Sequence, residues 1–179
     1  FRRVLFRSEY CSGNGAWIAA KAQAQPDLHW LAVELKFERV RQIWSKIKNG
    51  ALPNLLAVCG EGMRMTQHYI PNESVQAVYV NFPDPWPKTR HHKRRFVQRA
   101  NLDVLARLMR PGAELRLATD DPSYLPWMVE HACLRVRRDQ PLDRQQRREQ
   151  RRDPQHSSAC LPEQPGVRAD REGIEAGDQ

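Results

Sequence analysis

The segment Asn81–Arg95, NFPDPWPKTRHHKRR, concentrates residue types that can do chemistry. Asp84 stands between Pro83 and Pro85, and Trp86 between Pro85 and Pro87. Proline fixes its own φ near about −65° and pushes the residue before it toward extended geometry. Phe82, Asp84 and Trp86 are therefore expected to be extended and stiff. A carboxylate held this way loses little freedom on binding and can accept hydrogen bonds from a ligand, while Trp86 can stack beside it. Lys88, Arg90, His91, His92, Lys93, Arg94 and Arg95 follow with no acid among them. Such a strip can neutralise phosphates and position an RNA backbone without reading its sequence. A rigid turn beside a solvated face is the plain alternative, but a turn alone does not need Asp, Trp and Lys interleaved with prolines.

A second group of candidates opens the chain. In SGNGAW, Gly13 and Gly15 let the backbone turn tightly and approach a ligand closely. A dinucleotide fingerprint would place a third glycine where Ile18 stands, which disfavours a dehydrogenase. Glu34, at the end of the next expected strand, can accept from both ribose hydroxyls of an adenosine. An acid there with no phosphate clamp suits S-adenosylmethionine better than NAD.

These residues need a scaffold that brings them together. AWIAAKAQAQ reads as a helix stopped by Pro26, LHWLAVEL as a buried strand, and NLLAVCG and SVQAVYVNF as further strands. FERVRQIWSKIKNG is expected to form a helix that buries Phe37, Val40, Ile43, Trp44 and Ile47 on one face. FVQRANLDVLARLMRPG reads as a helix ended by Pro111-Gly112, AELRLATD as a strand, and SYLPWMVEHACL as a helix. Strands alternating with helices imply an α/β fold with a mainly parallel sheet and helices on both faces. Ligands of such sheets sit beyond the carboxyl ends of the strands. The segment from Glu9 to Gly15, together with Glu34, Glu61, Asp84 and Asp120, falls at those ends and should line one cleft.

Composition narrows the partners. The chain has 179 residues, enough for one domain, with a net charge of +8 and a pI near 9.7. That balance favours a polyanion, nucleic acid before membrane. No apolar run approaches the length of a membrane helix, and the mean hydropathy is −0.74. The four cysteines, Cys11, Cys59, Cys133 and Cys160, show no paired spacing. They are expected to form neither a metal site nor a disulfide framework, as suits a reducing, cytoplasmic location. The two ends stand apart. FRRVLFRS matches one reading frame of a common DNA sequencing adapter, so residues 1–8 are expected to be non-native. The catalytic domain is expected over 9–135. Residues 136–179, arginine-rich and then Pro/Gly/Asp-rich without apolar periodicity, are expected to be disordered or out of frame.

With these motifs in view, the chain closely resembles the tRNA (guanine-N7-)-methyltransferase family. EYCSGNG, AVELKFERV, FPDPWPKTRHHKRR and RPGAELRLATDDPSYLPWM carry the resemblance across the body of the chain. It implies a class I methyltransferase fold, here incomplete, and methyl transfer from S-adenosylmethionine to N7 of a variable-loop guanosine, position 46 of tRNA. It implies Glu9, Gly13, Gly15 and Glu34 as cofactor-binding residues, with Glu61 where the family has Asp or Asn near the adenine. Asp84 matches the active-site acid, also near the cofactor. Lys88 and Asp120 match substrate-binding positions, and Arg90 to Arg95 match the RNA-contacting run. Cys11 replaces the first glycine of the loop, which should stiffen it, and the family's C-terminal Thr-x-x-Glu motif is absent. With the first strand expected to be reduced to Glu9 and Tyr10 and the last two strands expected to be lost, marginal folding and poor turnover are expected. Two rival readings are a nucleic-acid-binding module without catalysis and a methyltransferase acting on exocyclic amines. The first predicts RNA binding without cofactor binding, and the second a different methylated nucleoside.

Overall fold

The computed structural model describes residues 5–139 and 167–170. Its strands are β1 (Phe6–Tyr10), β2 (His29–Glu34), β3 (Leu55–Cys59), β4 (Val75–Asn81), β5 (Met109–Ala118) and β6 (Val167–Asp170). The helices α1 (Ala16–Ala24), α2 (Phe37–Asn49), α3 (Gly62–Tyr69), α4 (Arg99–Leu108) and α5 (Tyr124–Asp139) alternate with them, and Thr89–Arg94 forms a 3-10 helix. The sheet order is β3-β2-β1-β4-β5-β6, with every neighbouring pair parallel. The expected parallel α/β architecture is therefore present, with β1 near its centre.

Alternation along the strands builds a layer on each face. Trp30 and Ala32 of β2 and Ala77 and Tyr79 of β4 pack with Ile18 and Ala22 of α1 and Ile43 of α2. Leu31 and Val33, with Val78 and Val80, face the other way onto Met63 of α3, Leu102 and Leu105 of α4, and Tyr124 and Met128 of α5. The period of two in a strand produces this division.

Several elements differ from their sequence reading. Phe37 and Trp44 point to solvent rather than into the core. Helix α3 was not foreseen, because its eight residues bury only Met63 and Thr66 and leave too short a pattern for periodicity to register. Helix α4 ends at Leu108, and β5 already begins at Met109, passing through Pro111 and Gly112 at a register shift opposite Val75 and Ala77. Such an irregularity accommodates a proline that cannot donate to the ladder.

Both ends also contribute to the sheet. Phe6, Arg7 and Ser8, from the segment expected to be non-native, supply more than half of the central strand β1. The Ser8 hydroxyl and Arg7 Nε are buried without a partner, while Arg7 Nη1 donates to Gln25 Oε1 at 3.1 Å. Past residue 135, α5 continues to Asp139 and β6 pairs with Leu115–Ala118. The rest of the segment 136–179 lies outside the described residues. Cys11 and Cys59 are free thiols, whereas Cys133 is disulfide-bonded, which corrects the expectation of unpaired cysteines. Among the described residues no helix is long and apolar enough to cross a membrane, and no cluster of His, Cys, Asp or Glu could hold a metal ion.

Candidate active site

The carboxyl ends of β1, β2 and β4 meet around the loop Cys11–Gly15. Ser12 Oγ donates to Glu9 O at 2.8 Å and Gly15 N to Ser12 O at 2.9 Å, which tightens the turn. Gly13 N donates to Glu34 Oε2 at 2.8 Å, and Lys36 N to Glu34 Oε1 at 2.9 Å. Glu34 thus ties the loop after β1 to the loop after β2. Gly15, with φ 74°, caps the start of α1; a Cβ there would lie 2.5 Å from Ile43 Cγ1. Both the left-handed backbone and the close packing on α2 require glycine. Cys11 also has a positive φ of 59°, the conformation that a glycine in this position would adopt without strain.

Glu9 lies at the base of this loop, 2% exposed. Its Oε1 accepts from Asn81 Nδ2 at 2.8 Å, and its Oε2 is buried with no donor. Burial pushes the carboxyl up to about 7 from 4.5, against the lowering effects of Asn81 and Ser12 and with a smaller push from the Glu34 charge. The Cys11 thiol is pushed up to about 12, first by burial and then by Glu34, Asp84 and Glu9. All three carboxylates therefore lie near one thiol, at the head of the loop that carries Gly13 and Gly15. Asn81 was not anticipated as a partner of Glu9; its only signal was its place at the head of the Asn81–Arg95 segment.

Asp84 is exposed on a backbone that departs from the expected geometry. Phe82 and Trp86 have φ 49° and 45°, left-handed rather than extended, and Phe82 N bonds Ala118 O at 2.9 Å. Bulky residues rarely hold this conformation unless their surroundings enforce it. Arg95 does much of the enforcing. Its Nε donates to Pro85 O at 2.8 Å, and its guanidinium lies 4.8 Å from the Tyr124 ring and 4.7 Å from that of Trp127. Tyr124 OH accepts from Val97 N at 3.1 Å and Trp127 Nε1 donates to Val97 O at 2.6 Å, clamping the segment onto α5.

Arg95 therefore parts company with the cationic run in which the sequence placed it. It is 3% exposed, so its guanidinium supports the proline segment instead of reaching an RNA phosphate. Lys88, Arg90, Lys93 and Arg94 are exposed on or beside the 3-10 helix, with His91 and His92 half-buried. Arg94 lies 5.0 Å over the Trp86 ring, and His91 meets that ring edge-on at 5.8 Å, so one face of the expected stacking platform already carries a cation. Glu61 and Asp120 are exposed at the ends of β3 and β5. Among the described residues, neither side chain bonds to the Glu9–Glu34 cluster.

The site fits S-adenosylmethionine by its donor and acceptor set. A buried acid with one oxygen still lacking a donor, a glycine turn locked by a second acid, and a third acid nearby suit a ligand with an amino group, ribose hydroxyls and a cationic sulfur.

A family model described as "Putative methyltransferase" matches residues 4–169. The chain belongs to this family. The match reaches into both end segments that the sequence reading set apart. A tRNA (guanine-N(7)-)-methyltransferase of Chlamydia abortus is 49% identical over 117 residues, 65% of this chain and 52% of that protein. One from Chlamydia pneumoniae is 47% identical over 122 residues, 68% of this chain and 54% of that protein. The chain thus spans about half the length of the curated relatives it matches. A precorrin-6y C5,15-methyltransferase from Geobacter metallireducens shares the fold, with a TM-score of 0.54 at 13% identity over 73% of this chain and 62% of that one.

Proposed function

We propose that this chain carries the catalytic site of a tRNA (guanine-N7-)-methyltransferase acting on the variable-loop guanosine 46. The observation that carries the reading is the meeting of Glu9, the Glu34-locked glycine turn and Asp84 beside an exposed cationic 3-10 helix. The cofactor S-adenosylmethionine supplies an electrophilic methyl group on a cationic sulfur, which the unprotonated N7 lone pair of guanine can accept without a general base. Glu9 and Glu34, with Gly13, Gly15 and Glu61, hold the cofactor, and Glu9 Oε2 gains the donor it lacks. Asp84 and Asp120 accept from the N1–H and N2–H edge of guanine and fix the base, a positioning role that can supply several kcal/mol. Lys88, Arg90, His91, His92, Lys93 and Arg94 hold the RNA backbone.

Incubating the chain with labelled S-adenosylmethionine and a tRNA transcript, then digesting the RNA to nucleosides, tests the proposal. Label is expected in 7-methylguanosine, slowly accumulated, and lost when the variable-loop guanosine is changed. Label in an exocyclic-amine product, or binding of both ligands with no transfer at all, would overturn it.

A further inference from the structure

Helix α2 leaves two large rings in water. Phe37 and Trp44 are 62% and 60% exposed, while Ile43 is fully buried and Val40 and Ile47 are half-buried. At 3.6 residues per turn, Phe37, Arg41, Trp44 and Lys48 fall at i, i+4, i+7 and i+11, one line about 16 Å long. All four are exposed, and the line lies somewhat more than a third of a turn, about 130°, from the buried Ile43. Ring and cation alternate along it, with Lys48 Nζ 5.6 Å from the Trp44 ring centroid.

The charge around this line selects its partner. From Lys36 to Gly50 the cations Lys36, Arg39, Arg41, Lys46 and Lys48 face one acid, Glu38. A face built to bury against another protein would be depleted of lysine at its core. A nucleic-acid strand uses both components: bases stack on the rings, and phosphates pair with the cations between them. The position fits the same partner. Helix α2 starts where β2 delivers Glu34, whose Oε1 accepts from Lys36 N, so the line begins at the rim of the cleft. Since β2 and β4 flank β1, α2 and the cationic 3-10 helix after β4 stand on opposite sides of the glycine loop.

We infer that Phe37, Arg41, Trp44 and Lys48 form a second RNA contact, which grips an unpaired stretch of the tRNA whose backbone the 3-10 helix holds. The inference deepens the proposed function and rests on it.

Fluorescence anisotropy with a labelled tRNA transcript over a series of salt concentrations tests it on the full chain. Arg41→Gln combined with Lys48→Gln is expected to reduce the slope of log affinity against log salt by about 1.4, the value for two phosphates of a single strand. Trp44→Ala is expected to weaken binding roughly tenfold through the lost base stack. In both variants the affinity for S-adenosylhomocysteine and the melting temperature stay unchanged. If both bind tRNA like the wild type while Lys93→Gln with Arg94→Gln loses affinity, the second contact is refuted and the proposed function stands. If the α2 variants alter only the oligomeric state, the line belongs to a second copy and the inference fails. If the wild type does not bind tRNA, both readings fail.

Discussion

A carboxylate oxygen of Glu9 is buried with no donor, and burial pushes that carboxyl up to about 7 from 4.5. In the unfolded chain it ionises near the lower value. Below that value the group is neutral in both states. As pH rises toward 7 only the folded state keeps the proton, and above 7 the folded state carries a buried charge. The stabilising contribution is therefore full below the unfolded pKa and lost as pH rises through about 7. Glu9→Gln should raise the melting temperature at pH 8, by at most about 3 kcal/mol of stability, and change little near pH 4.5. The same variant should abolish S-adenosylhomocysteine binding in calorimetry. Equal melting curves at pH 8 would show that Glu9 is not strained in the free protein. The sequence showed Glu9 as a strand-end acid; it could not show that Asn81 would satisfy only one of its oxygens, because that bond joins β1 to β4 through the fold.

At the scale of elements, the run from Arg90 to Arg95 divides in two. Residue types made the run legible, but its division depends on aromatic rings that arrive from α5, far along the chain. Arg94 stays outside over Trp86, and Arg95 turns inward between Pro85 O, Tyr124 and Trp127. Helix α2 shows the same limit. Its periodicity placed Phe37 and Trp44 with Ile43, yet small residues of α1 and the short β3 cover only the Ile43 side. Arg95→Lys keeps the charge but loses the planar fork that bonds a carbonyl and stacks on rings together. The expected cost is about 2 kcal/mol of stability, the scale of one charged hydrogen bond. Methyl transfer should slow in kcat with little change in KM for tRNA, because Asp84 loses its support while the exposed cations remain. The slope of tRNA affinity against salt should not move. A slope reduced by about one, with an unchanged melting temperature, would return Arg95 to the phosphate-contacting set.

Across the whole molecule, the order β3-β2-β1-β4-β5-β6 turns separate strand ends into one site. The βαβ alternation predicted the mainly parallel sheet, and parallel strands present all their carboxyl ends on one edge. It also stacks Glu9, Glu34 and Asp84 around Cys11 with no cation among the loop's own residues; Arg39, from α2, is the group that offsets them. Like charges held together by the sheet oppose its closure, so a ligand that satisfies them should stabilise β1, β2 and β4 as a unit. S-adenosylhomocysteine at one hundred times its Kd is expected to add about 2.7 kcal/mol to the stability of the chain. Its amino group favours ionised Glu9, so affinity should rise with pH up to about 7 and then level off. Thermal melts with and without ligand, from pH 6 to 8, measure both effects. A ligand shift that is independent of pH would mean that the bound amine does not meet Glu9, and the glycine loop with Glu34 would then hold the cofactor without the acid at its base.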